Sequence, residues 1–183
     1  MTGRRVMRRR GFTLVELIST VVILAALGSV ASGVILTAAD GYVDGATRAQ
    51  LHTELSTALD RCVREVRNIQ LDGEAGGVGP DIDEVTATSM RWDDDWSISL
   101  TGERVMLTVD GGPAAVLLAD VTSFGIQMWD EDDAALGATL SGSACDAIRR
   151  VRIDATVSRE GVSERLRTKV FIRSTMAGAG SGS

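Results

Sequence analysis

The sequence predicts an α+β protein in which one long N-terminal α-helix, half membrane-spanning and half amphipathic, packs on an antiparallel β-sheet domain. Three observations predict it. Residues 17–39 carry no charge, an apolar stripe recurs at helical spacing from Leu51 to Ile69, and from residue 84 onward the apolar period changes to two. At 183 residues the chain holds one domain of ordinary size plus an extra segment, too little for two separate cores.

Composition narrows the function. The net charge of −6 hides an asymmetry: Arg4, Arg5, Arg8, Arg9 and Arg10 place five of the 19 bases in the first ten positions. From Phe12 onward 14 bases face 25 acids. So acidic a body is a poor general nucleic-acid binder, because a binding groove must collect Lys and Arg against phosphates. The 44% apolar content argues against disorder. Two cysteines and one histidine supply neither a disulfide-dense scaffold nor a four-ligand structural zinc site.

The 23 uncharged residues 17–39 form a helix of about 34 Å, matching a hydrocarbon core of about 30 Å. The arginines precede this run, and Asp40 and Asp44 follow it, so the N-terminus stays cytoplasmic and the C-terminal part is exported. A cleavable secretory signal has a shorter apolar stretch, about 7–15 residues. A twin-arginine signal is partly matched by Arg9-Arg10. It would place Glu16 in the hydrophobic region, and Thr37-Ala38-Ala39 is a weak cleavage site. Glu16 itself interrupts Phe12, Leu14, Val15, Leu17 and Ile18. A carboxylate there is either a functional group awaiting a partner or a residue at the headgroup boundary beside the arginines.

Leu51, Leu55, Leu59, Cys62, Val66 and Ile69 continue the helix as an amphipathic stripe. Asp40-Gly41 and Gly45 can kink it without ending it. A helix over residues 13–70 would be about 87 Å long, and the glycine-rich run 73–80 breaks it. That run follows a helix and lacks the lysine and Ser/Thr of a phosphate loop, so it reads as a turn. Alternation predicts strands at 104–110 and 150–158, with Val151, Ile153, Ala155 and Val157 inward and Arg150, Arg152 and Asp154 outward. A turn at Arg159-Glu160-Gly161 makes a hairpin with the strand carrying Leu166, Val170 and Ile172 opposite Arg165, Arg167, Lys169 and Arg173. Weaker strands are predicted at 85–92, 95–101, 114–119 and 121–129, and residues 176–183 read as a flexible tail. The outward arginines are either a basic binding face or a solvated face paired with acids, as guarded edges commonly are.

Arg10-Gly11-Phe12-Thr13-Leu14-Val15-Glu16-Leu17, followed by the long apolar helix, resembles the cleavage and methylation motif of type IV pilins and type II secretion pseudopilins. The resemblance implies a pilin-like fold, with a basic leader at 1–11, a transmembrane and assembly helix at 12–39 and its amphipathic continuation at 40–72. A periplasmic β domain at 73–175 and the tail 176–183 complete the organisation. It further implies cleavage by a prepilin peptidase between Gly11 and Phe12, methylation of the Phe12 amine, and pairing of Glu16 with the N-terminal amine of a neighbouring subunit. Many members carry a proline in mid-helix; here Gly28 and Gly33 occupy that neighbourhood, either as a bending point or as small residues for close packing.

The segments from Asp120 to Asp130 and from Arg149 to Ile153, with Leu59-Asp60-Arg61-Cys62-Val63-Arg64-Glu65-Val66-Arg67, are similar to J-type minor pseudopilins and are shared by related minor pilins. The implied role is a non-enzymatic subunit at or near a pseudopilus tip, anchored in the cytoplasmic membrane, with other pseudopilins and the secreted substrate as partners. A minor type IV pilin of a pilus or DNA-uptake machine is the alternative. A single-pass membrane-anchored periplasmic enzyme or receptor is a more distant one.

Four local features complete the reading. Cys62 and Cys145 are either a disulfide tying helix to sheet or two separate thiols. Asp93, Asp94 and Asp95, with Asp130, Asp132 and Asp133, offer oxygens for calcium but lack the spacing of a calcium loop, and solvated loops are the simpler reading. His52, the single histidine, has no nucleophile partner. No cofactor, catalytic site or direct nucleic-acid contact is expected.

Overall fold

A computed structural model describes residues 13–72 and 79–175. The expected leader 1–11, the cleavage pair Gly11 and Phe12, residues 73–78 of the glycine-rich turn and the tail 176–183 lie outside the described residues. Helix α1 runs Leu14–Arg67. At its start the Thr13 carbonyl accepts the Leu17 N–H at 3.1 Å. The helix stops three residues short of the expected Gln70. Its last turn tightens as the Asn68 N–H donates to the Glu65 carbonyl at 3.0 Å, and Gln70 leaves to accept the Asp81 N–H at 2.9 Å.

The chain divides into two compact units, residues 1–45 and 46–183. In the first, every described residue is helical or caps the helix, and every one is exposed. The described residues of the second hold the rest of α1 and nine strands: β1 Ile82–Val85, β2 Ser89–Trp92, β3 Trp96–Thr101, β4 Arg104–Thr108, β5 Ala115–Leu118, β6 Val121–Trp129, β7 Leu140–Ser141, β8 Arg150–Arg159 and β9 Val162–Phe171. A 3₁₀ helix, Gly142–Ala147, follows β7.

The antiparallel β domain expected is present and is built of two sheets. One has the order β5-β4-β3-β2-β1-β7 and the other β6-β8-β9, with every pairing antiparallel. The separation begins at Asp120, whose left-handed backbone (φ 57°) turns the chain out of the first sheet between β5 and β6. Two hydrogen bonds tie β6 to turns of the first sheet: Val121 N–H to the Glu103 carbonyl at 3.0 Å, and Ile126 N–H to the Ala87 carbonyl at 2.8 Å. The strand expected at 85–92 is two strands, because the Thr86 hydroxyl accepts the N–H groups of Thr88 and Ser89 at 3.2 and 2.9 Å and folds the chain back.

The final hairpin forms as the alternation predicts, with Val151 opposite Val170 and Arg159 opposite Val162. Its two-residue turn has Glu160 at φ 53° and Gly161 at φ 81°, the left-handed pair that matches strand twist. Leu51, Leu55, Leu59, Cys62, Val66 and Ile69 are all buried. They share one cluster with Val85, Met90 and Ile98 of the larger sheet, with Val151, Ile153 and Val170 of the smaller, and with Ile172. The expected amphipathic stripe is therefore the spine of the core.

Candidate functional site

The N-terminal end of α1 is built from a local motif. Thr13, Leu14, Val15 and Glu16 have the spacing of a capping box, and the Thr13 Oγ1 accepts the Glu16 backbone N–H at 3.3 Å. That bond satisfies one of the orphan donors of the first turn and sets Glu16 at a defined position on it, beside the positive end of the helix dipole. Glu16 is exposed. The Thr-x-x-Glu spacing that signals this cap is legible in the sequence itself. Gly11 and Phe12 lie outside the described residues.

Around and after Glu16, as far as Ala39, the helix carries no other charge and is apolar on all sides. Leu14, Val15, Leu17, Ile18, Val21, Val22, Ile23 and Leu24 are each more than half exposed, and the pattern continues through Leu36. A helix without a polar face has no stable position on a water-facing surface and requires lipid or other helices around it. Its hydroxyls suit that setting. Ser19, Thr20, Ser32 and Thr37 each donate to the carbonyl four residues earlier, at 2.8, 2.7, 2.8 and 3.0 Å. Nothing lies within 4 Å of a Cβ built at Gly28 or Gly33, so that face is open to a close neighbour.

Elsewhere the candidates separate. Cys62 and Cys145 are both buried and both free. Burial pushes their thiols up to about 12 and about 11. Among the acids, Asp133 pairs with Arg150 at 2.5 Å and Lys169 at 2.7 Å, and Lys169 followed by Arg150 holds its carboxyl below the usual range. The Asp130 carboxylate accepts the N–H groups of Asp132 and Ala134 at 3.0 and 2.8 Å, shaping its own loop. Asp93 and Asp94 have φ of 51° and 53° and form the β2–β3 turn with Asp95. Among the described residues no three His, Cys, Asp or Glu side chains converge to hold a metal ion.

Of the outward arginines of the hairpin, Arg150, Arg152, Arg165 and Arg167 pair with acids. Asp154 accepts hydrogen bonds from Arg165 and Arg167 at 2.9 Å and pairs by charge with Arg152 at 3.1 Å. Burial raises the Asp154 carboxyl, but Arg167 and Arg165 outweigh it and hold it below the usual range. Arg152 and Lys169 lie over the Trp129 ring, 5.1 and 4.4 Å from its centre. His52 Nδ1 lies 3.2 Å from Glu164 Oε1.

One ion-pair set went unread in the sequence. Arg159, at the hairpin turn, bonds Glu54 of α1 at 3.1 Å and Asp120 at 2.8 Å. Arg159, then Gln50, lowers the Glu54 carboxyl, while Glu54 and Asp120 raise the Arg159 guanidinium. The partners are 105 and 39 residues away from Arg159, so no local spacing announces them.

Residues 6–32 match the family described as the prokaryotic N-terminal methylation motif. No curated protein matches the chain. The matched stretch takes in Arg8, Arg9 and Arg10, the capping motif with Glu16 and the first part of the exposed apolar helix. The match and the helix together support a membrane-anchored, single-pass, pilin-type protein.

Proposed function

We propose that this chain is a minor pseudopilin of a type II secretion system, a non-enzymatic subunit at or near the pseudopilus tip. The observation that carries the reading is the methylation motif at 6–32 running directly into a helix whose apolar surface is exposed on all sides. Such a helix fits two environments, the bilayer before assembly and a bundle of like helices after it. A prepilin peptidase cuts the peptide bond between Gly11 and Phe12, and the freed Phe12 amine is methylated. The Glu16 carboxylate then meets the N-terminal amine of a neighbour, each relieving the other's desolvation in an apolar filament core. Arginines before the helix and acids after it orient the β domain to the exported side. A minor type IV pilin of a pilus or DNA-uptake machine is the second reading, since the same motif serves both machines.

The test is the mass of the N-terminal peptide of the protein recovered from its native membrane. A peptide starting at Phe12 with one added methyl group is the expected result. A start at Met1 or Thr2 makes the chain a plain anchor, and a start near Asp40 makes it an exported soluble protein; either overturns the reading. Glu16→Ala in the host separates the machines. Lost secretion supports the pseudopilin, lost piliation or DNA uptake supports the pilin, and normal behaviour in all three sinks the assembly role of Glu16.

A further inference from the structure

A notch of about 200 Å³ opens beside the C-terminal end of α1, lined by Glu65, Asn68, Gln70, Trp92, Asp93 and Trp96. It lies entirely in the β-domain unit and has no part in the N-terminal motif. It is smaller than the roughly 300–1,000 Å³ of ordinary cofactor and drug pockets, and suits a single side chain or small headgroup.

We propose that this notch binds an organic cation, an ammonium or guanidinium group. Four observations on different elements point to that charge and chemistry. The end of α1 carries the negative pole of the helix dipole. Glu65 contributes a carboxylate whose side chain is only 9% exposed, anchored by Arg61 at 2.8 Å through Oε1. Asp93, exposed on the β2–β3 turn, contributes a second carboxylate that makes no side-chain bond among the described residues. Trp92 and Trp96 stack with ring centres 6.2 Å apart, and Trp96 is partly exposed, giving the aromatic surface that attracts cations.

The surroundings agree. Burial, then Asp93, Asp72, Asp83 and Asp94, raises the Asp81 carboxyl, so carboxylates crowd this end of the domain, and no lysine or arginine lines the notch itself among the described residues. Among the described residues the side-chain amides of Asn68 and Gln70 have no hydrogen-bond partner, so they are available to a ligand. A metal ion is the poorer fit, because it needs convergent oxygens that the described residues do not supply, whereas indole faces suit a diffuse organic charge. The cation can be an arginine or lysine side chain of a partner polypeptide or a free small amine.

The experiment uses the full chain in detergent micelles with Trp129→Phe, leaving Trp92 and Trp96 as the only tryptophans of the three. Their fluorescence is followed against N-acetyl-argininamide, N-acetyl-lysinamide, choline, putrescine, neutral N-acetyl-glutaminamide and calcium chloride. A saturable change with organic cations is expected, weakened roughly tenfold by Asp93→Asn. Asparagine tolerates the left-handed turn at that position, so this variant keeps the fold. A response to the capped arginine or lysine alone assigns a polypeptide side chain, and one to choline or putrescine alone assigns a small amine; both support the site. An equal response to the neutral amide, saturation by calcium alone, no response to any organic cation, or an Asp93→Asn variant that binds as before overturns it. The outcome does not depend on where the N-terminus is cut, so this proposal and the filament reading fail separately.

Discussion

Gly79 shows how one residue can be dictated by a close approach. A Cβ built there would lie 2.3 Å from the Cα of Asp146, a backbone atom that cannot rotate away. Gly79→Ala is expected to cost about 1–3 kcal/mol in urea unfolding of the β domain, by overpacking. Asp81 offers the opposite case. Its carboxyl is raised in the folded state, first by burial and then by neighbouring aspartates, so ionising it opposes folding. That cost is absent below the unfolded aspartate value and fully present above the raised folded one. Asp81→Asn should therefore raise Tm at neutral pH and lose that advantage as the pH falls below the ordinary aspartate range. A Tm gain equal at both pH values would contradict the cause given. The buried thiols make a third residue-level expectation: with Cys62 pushed up to about 12 and Cys145 to about 11, both should resist alkylation at pH 7 until the domain unfolds.

At the scale of elements, α1 carries two different helices in one run. Its first part is stabilised by local means, the Thr13 cap and hydroxyl bonds to its own carbonyls. Its second part is stabilised by burial of one stripe against both sheets. Leu55, fully buried at the middle of that stripe, reports the difference. Leu55→Ala should cost about 2–5 kcal/mol in denaturant unfolding, while Leu24→Ala, on the exposed apolar part, should leave that transition unmoved. The β8–β9 turn makes an independent case. Glu160 occupies a left-handed conformation that glutamate disfavours and asparagine accepts. Glu160→Asn should stabilise the hairpin by up to about 1 kcal/mol, read as a higher Tm.

On the scale of the whole molecule, acid is the condition that tests the ion pairs together. Glu54, Asp133 and Asp154 all have carboxyls held below their ordinary values by arginine or lysine partners. A carboxyl lowered in the folded state stabilises the fold above its unfolded value, and that contribution disappears as the pH falls through the folded value. The β domain should lose stability as the pH is lowered from about 5 toward 3. Asp154→Asn should flatten that loss, because it removes the carboxylate shared by Arg152, Arg165 and Arg167. Salt should weaken the same pairs, since most of these side chains reach solvent. The surplus of acids left elsewhere agrees with a chain whose basic residues are concentrated before the membrane helix and around the final hairpin.

Local periodicity by itself determined the elements. An uncharged run of 23 residues specifies a membrane-length helix, the stripe from Leu51 to Ile69 specifies a buried helical face, and alternation in 150–158 specifies which side chains of β8 point inward. These patterns are written in neighbours along the chain, so they can be read without a structure. Tertiary structure alone decided where the chain leaves one sheet for another, why the helix ends at Arg67, and which of many acids Arg159 selects. It also brought Glu65 of α1 to Trp92 and Trp96. Each of those outcomes depends on residues far apart in sequence being carried together by turns such as Asp120 and Thr86, and a local pattern holds no record of the path between them.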